Sequence, residues 1–201
     1  VASFPSIFAW SAAALVALSY HARTQELGGP IDLERLRGVP GLVIEDGTQG
    51  SNTTIIRKGG VEIHQTLSGG QMQTFGVDKS GQGAVLCTWQ ILITMRAVID
   101  ACYAKDYAEL RRSIDEDIGK INTFISQNNL TPITQREIDL LEASRSKKLG
   151  DEWGSSPSES CSTDPMLSMI KAMAELGRAE SMKRLEEFLG TPRPPVTNPC
   201  L

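Results

Sequence analysis

Thr54-Ile55-Ile56-Arg57-Lys58-Gly59-Gly60-Val61-Glu62-Ile63-His64 is the stretch on which the fold class turns. Thr54, Ile56 and Lys58 alternate with Ile55 and Arg57, and Val61 and Ile63 alternate with Glu62 and His64. A period of two belongs to strands with one face turned inward. Gly59-Gly60 between the runs is a hairpin signal, because the central positions of a two-residue turn need a positive φ. Working outward, the segment from Val39 to Cys87 keeps this character. Further short strands are expected at Met72–Val77 and Ala84–Cys87, divided by the turn-forming Asp78-Lys79-Ser80-Gly81.

From Thr88 the spacing changes to that of helices. Leu92, Met95, Val98, Ile99 and Cys102 mark a first helix. Asp106-Tyr107-Ala108-Glu109 reads as a capping box for a second, which carries Leu110, Ile114, Ile118, Ile121, Phe124 and Ile125 on one stripe and stops at Asn128-Asn129. Thr134-Gln135-Arg136-Glu137 repeats the box before Ile138, Leu140 and Leu141. Asp164-Pro165 starts a fourth helix that Gly177 closes; Met182, Leu185, Phe188 and Leu189 mark a fifth, ended by Gly190-Thr191-Pro192. Residues 148–160 read as a loop, and Pro192-Arg193-Pro194-Pro195 opens an extended tail. The expected class is α+β: a small antiparallel β segment over about 40–87, then a disulfide-stapled helical bundle over about 88–190.

The head of the chain carries a separate signal. Ile7 to Leu18 is an apolar run ended by Ser19-Tyr20-His21, short for a bilayer span and sized for the h-region of an export signal. Ala17-Leu18-Ser19 has the small residues that a cleavage site needs, so the mature chain is expected to begin near Tyr20. No Lys or Arg precedes the run, and a buried helix would use Trp10, Ala14 and Ala17 equally well. The organisation expected is a signal-like segment, 1–19, and one α+β domain, 20–201, with a loop- and strand-rich part (20–87) and a helical part with its tail (88–201). Export implies a periplasmic or extracellular location, with no stable transmembrane span once the signal is removed.

The four cysteines agree with an oxidising compartment. A helix from Thr88 to Ala101 would hold Cys87 and Cys102 roughly 20 Å apart, at about 1.5 Å per residue. A disulfide needs Cα atoms within about 7 Å. Two connectivities remain: Cys102–Cys161 with Cys87–Cys200, or Cys87–Cys161 with Cys102–Cys200. The first is preferred, because it clamps the 148–160 loop and anchors the tail. No two cysteines have the spacing of a zinc knuckle and neither histidine lies near one, so no metal and no cofactor is expected.

Two short strings resemble known families. Leu67-Ser68-Gly69-Gly70-Gln71 resembles the signature of ABC-transporter nucleotide-binding domains, but their phosphate loop, G-x-x-x-x-G-K-[ST], is absent, so the string is read as a turn. Asn52-Thr53-Thr54-Ile55-Ile56-Arg57-Lys58-Gly59-Gly60-Val61-Glu62-Ile63-His64-Gln65 resembles the curlin repeat, with Lys58 where that family favours Gln. That resemblance spans at most 43–86 and implies strand–turn–strand units stacked in an extracellular fibre. A plain hairpin accounts for the same residues.

Catalytic patterns are scarce. There is no G-x-S-x-G elbow and no H-E-x-x-H helix, so no catalytic residue is assigned and an enzyme is not expected. A net charge of −4 with scattered basic residues implies neither nucleic acid nor an anionic membrane, and no nucleic-acid partner is expected. Asp115-Glu116-Asp117 reads as a solvated face with i,i+4 pairs from Glu116 to Arg112 and Lys120. Asn52-Thr53-Thr54 is a glycosylation sequon in a eukaryotic host. The leading expectation is an exported, non-catalytic binding or interaction protein whose partner is another protein or a cell-envelope component. A structural component of a surface fibre through 43–86 comes second, and a secreted toxin or effector third. The candidate contact residues are Ile55, Val61 and Ile63 on the strands and Met169 and Met173 on the fourth helix, where methionines suit an adaptable groove.

Overall fold

A computed structural model describes residues 31–46, 52–154, 161 and 166–200. The signal-like segment 1–19, Asp164-Pro165 and residues 155–160 of the expected loop lie outside the described residues. A short helix α1 (Leu33–Leu36) is capped by the Asp32 carboxylate, and β1 (Val43–Asp46), β2 (Thr53–Lys58), β3 (Val61–Ser68) and β4 (Gln71–Asp78) follow. The strands form one antiparallel meander in the order β1-β2-β3-β4. Gly59-Gly60 and Gly69-Gly70 turn the two hairpins with φ of 58°, 81°, 58° and 78°. Both turns thus take the type I′ form that matches strand twist. The string resembling the ABC signature is the second of these turns.

The bundle comprises α2 (Val85–Val98), α3 (Ala108–Asn128), α4 (Gln135–Gly154), α5 (Met166–Leu176) and α6 (Arg178–Leu189). One face of the sheet and the start of α2 share an apolar cluster made of Ile56, Val61, Ile63, Ala84, Cys87, Val196 and Leu36. A larger cluster, centred on Trp89, Ile93, Ile99, Ile114, Ile118, Ile121 and Ile138, joins all five helices of the bundle. The helix Val85–Tyr103 is long and apolar enough to cross a membrane by length and composition, yet 61% of its most apolar window is buried. Its greasiness on every side is that of a core helix.

Several expectations need correction. Ala84–Cys87 is not a strand: Ala84 is the extended N-cap of α2, and the helix begins at Val85. Ala84, Val85, Leu86 and Cys87 are all buried, so period two and period 3.6 look alike there. The first helix widens into a π turn over Ile99–Tyr103. Asp106 caps nothing, because α3 starts after Tyr107 without a side-chain cap. The box at Thr134 does form, with the Thr134 N–H donating to Glu137 (2.7 Å) and the Glu137 N–H to Thr134 Oγ1 (3.3 Å). Part of the expected loop, 148–154, continues α4, where Leu149 packs on the bundle core. The contact outweighs the cost of about 1 kcal/mol for a mid-helix glycine such as Gly150.

Cys87 bonds Cys200 and Cys102 bonds Cys161, with Cα separations of 5.3 and 5.6 Å. The first bridge fastens the tail across the junction of sheet and bundle. Leu86 N–H donates to Val196 O (2.9 Å), and Asp78 N–H donates to Asn198 O (2.7 Å). Gly76 makes room for this strap: a Cβ there would meet Val196 Cγ1 at 2.4 Å. Arg193 in the tail is fully buried. It donates to Asp78 (2.7 Å), Gln82 (2.9 Å) and the carbonyls of Phe188 (2.9 Å), Thr191 (3.1 Å) and Gly83 (2.9 Å), beside the rings of Phe124 and Phe188. A guanidinium in which all three nitrogens donate, one of them to a buried carboxylate, is the condition under which a buried charge is tolerable.

Candidate interaction surface

Alternation along the strands divides the sheet into two faces. Cross-strand partners share a face, so Ile44, Ile56, Ile63 and Gly76 form an inner row, and Glu45, Ile55, His64 and Phe75 form an outer one. A second outer row is Val43, Arg57, Glu62 and Val77. The inner row is core. The outer rows mix apolar and charged residues, and Val43, Ile55 and Phe75 join neither apolar cluster among the described residues.

Six large apolar side chains are exposed among the described residues, and four of them, Val43, Leu67, Met72 and Phe75, belong to the sheet. Phe75 is 53% exposed and Val43 50%. Val43 and Phe75 stand on the outer face, whereas Leu67 and Met72 continue the face of Ile63 and Gly76 beyond the core. Single exposed apolar residues are ordinary, and Val43 and Phe75 gain interest by sharing one small face. Beside them lies a charge cluster centred on Glu62. Its carboxylate accepts from Arg57 Nε (2.9 Å), bonds His64 Nε2 (2.7 Å) and pairs with Lys79 (3.1 Å), while Arg57 also pairs with Glu45. Arg57 first, then Lys79 and His64, hold the Glu62 carboxyl down at about 2. Arg57, Lys79 and His64 thus all engage the Glu62 carboxylate. Among the described residues no group of three His, Cys, Asp or Glu is arranged to hold a metal ion.

Several charges of the bundle act between helices. Arg178 of α6 binds buried Asp117 and Glu116 of α3, each at 2.6 Å. Lys120 pairs with Glu186 and Arg112 with Glu109. The expected Glu116 pairs with Arg112 and Lys120 therefore give way to a contact that docks α6 on α3. A second seam ties α2, α3 and α4: Trp89 donates to Asn122 (2.7 Å), Asn122 donates to Glu142 (2.8 Å), and Arg96 pairs with Glu142 (2.7 Å) and Asp115 (3.1 Å). Both constellations are fully engaged in packing. An open groove of about 820 Å³ lies between the start of α3 and the α5–α6 turn, where Tyr107, Leu110, Met173 and Arg178 meet charges of both signs.

The five candidate contact residues do not form one surface. Ile55 is half-buried on the outer face of the sheet. Val61 and Ile63 point into the inner cluster and are 2% and 6% exposed. Met169 stands exposed on α5, and Met173 lines the groove against the bundle core. Phe75 and Val43 escaped the sequence reading. Phe75 could have been found by continuing the alternation through the Gly69-Gly70 turn, which sets it opposite His64.

No family model matches the sequence, and neither a curated protein nor a solved structure matches it.

Proposed function

We propose that the chain is an exported, non-catalytic interaction protein and that the outer face of its sheet is the surface it offers to a partner protein. The observation that carries this reading is the exposure of Phe75 and Val43, 53% and 50%, on the outer face to either side of the ion pairs that Glu62 makes with Arg57 and Lys79. An exposed aromatic standing beside charged neighbours is a natural anchor for a partner. Two disulfides are compatible with an oxidising compartment and support export.

Comparative capture from the exported fraction of the producing cells tests the reading. Wild-type protein should retain a partner that Phe75→Lys loses at unchanged melting temperature. Equal retention by both would overturn it. A second reading, assembly into a fibre through 43–86, draws on β4. It is the last strand in the order of the sheet, and its eight residues carry one charge, Asp78. Edge strands of soluble proteins usually carry more protection. Filaments formed by purified wild-type protein would favour that reading.

A further inference from the structure

The end of the sheet remote from the bundle joins an exposed asparagine to two exposed apolar side chains. Thr53 pairs with Thr66 at the end of β2, and the Leu67 N–H donates to the Asn52 carbonyl at 3.0 Å. The ladder thus extends one step, setting Asn52 opposite Leu67 of β3, while Leu67 is opposite Met72 of β4. Asn52, Leu67 and Met72 therefore form a row on one face. All three are exposed. Thr54 stands two residues after Asn52, which completes the N-x-T sequon.

We propose that Asn52 is an N-glycan acceptor and that the first sugars of the glycan lie over Leu67 and Met72. This rests on the export reading, since the donor is met only in the secretory compartment where disulfides also form. In the transfer, Asn52 Nδ2 attacks the anomeric carbon of a lipid-diphosphate-linked oligosaccharide. The bond from that carbon to the diphosphate oxygen breaks, the lipid diphosphate leaves with the electron pair, and the amide nitrogen gives up one proton. The attached sugar presents C–H groups that can cover apolar side chains, which explains why a secreted chain tolerates Leu67 and Met72 in water at this end. A second sequon, Asn129-Leu130-Thr131, differs in setting: Asn129 is half-buried as the C-cap of α3, its N–H bonded to Ile125 O. It is assigned no glycan.

The test is to direct the full chain through the secretory pathway of a eukaryotic cell and to map glycopeptides before and after an N-glycan amidase. Asn52 should be occupied and Asn129 empty, with the added mass absent from Asn52→Gln. Peroxide oxidation then reads the covering. Met72, 40% exposed, should oxidise about threefold or more slowly in the glycosylated protein than after deglycosylation, whereas Met169, 43% exposed on α5, should not change. A secreted chain with both disulfides formed and Asn52 bare overturns the proposal. Glycosylation that leaves the Met72 rate unchanged overturns the covering. A chain retained with reduced cysteines overturns the export reading and this proposal with it.

Discussion

The two faces of the sheet are built from the same strands and obey opposite rules. On the inner face, Ile44, Ile56, Val61 and Ile63 meet α1, the start of α2 and the tail in a closed cluster. On the outer face, Val43, Ile55 and Phe75 stand among Glu45, Arg57, Glu62, His64 and Lys79. Beside the bundle, the inner face is explained by folding. The other keeps apolar surface that folding does not use, and it does so beside ion pairs that would otherwise suffice for solubility. That difference separates residues that hold the fold from residues available to a partner.

The largest expected effect lies on the inner face. Ile63→Lys places a charge against Ile56 and Val196 and should cost roughly 3–5 kcal/mol. At about 2–4 °C per kcal/mol for a domain of this size, the melting temperature should fall by about 10 °C. A melt within about 2 °C of wild type would erase the distinction between the faces. Next comes the tail that closes the inner cluster. Replacing Cys87 and Cys200 together by Ala should cost about 2–4 kcal/mol in a denaturant titration, because the bridge constrains a long unfolded loop. The loss should be visible as a lower midpoint at nearly unchanged helical signal.

A smaller effect belongs to the outer face. The folded Glu62 carboxyl sits at about 2, below its ordinary 4.5. A depressed carboxylate contributes stability that is complete above about pH 4.5 and is lost as pH falls toward 2. Urea midpoints of wild type and Glu62→Gln should therefore differ at pH 6 and converge near pH 2. A constant gap across that range would show that the Arg57–Glu62–Lys79 cluster does not respond to this group.

Much of the fold was legible for a physical reason. The alternation on either side of Gly59-Gly60 admits only a hairpin, and the stripe from Leu110 to Ile125 admits only a one-sided helix. The length of helix between Cys87 and Cys102 removed one cysteine pairing, and the structure joins Cys87 to Cys200 and Cys102 to Cys161. The start of α2 was hidden because Ala84 to Cys87 is buried on all sides and so carries no period. The strand β1 was hidden because four residues are too few to display one. The outer surface was harder still. Alternation shows that two faces exist, but their assignment needs the register, which places Val61 and Ile63 inward and brings Ile55, His64 and Phe75 into one row. Arg193 gave no signal at all, since its five acceptors come from sequence segments up to 115 residues away.

Phe75→Lys is the smallest change in stability and the most direct measurement of the account. Its side chain is already in water, so the melting temperature should stay within about 2 °C of wild type, corresponding to less than about 0.5 kcal/mol. Capture from the exported fraction, run beside the melt, should show the partner lost. The contradictory result is equally clear: a Phe75→Lys protein that melts as early as Ile63→Lys, or that keeps its melt and its partner together, would mean that the outer face of the sheet is not a contact surface.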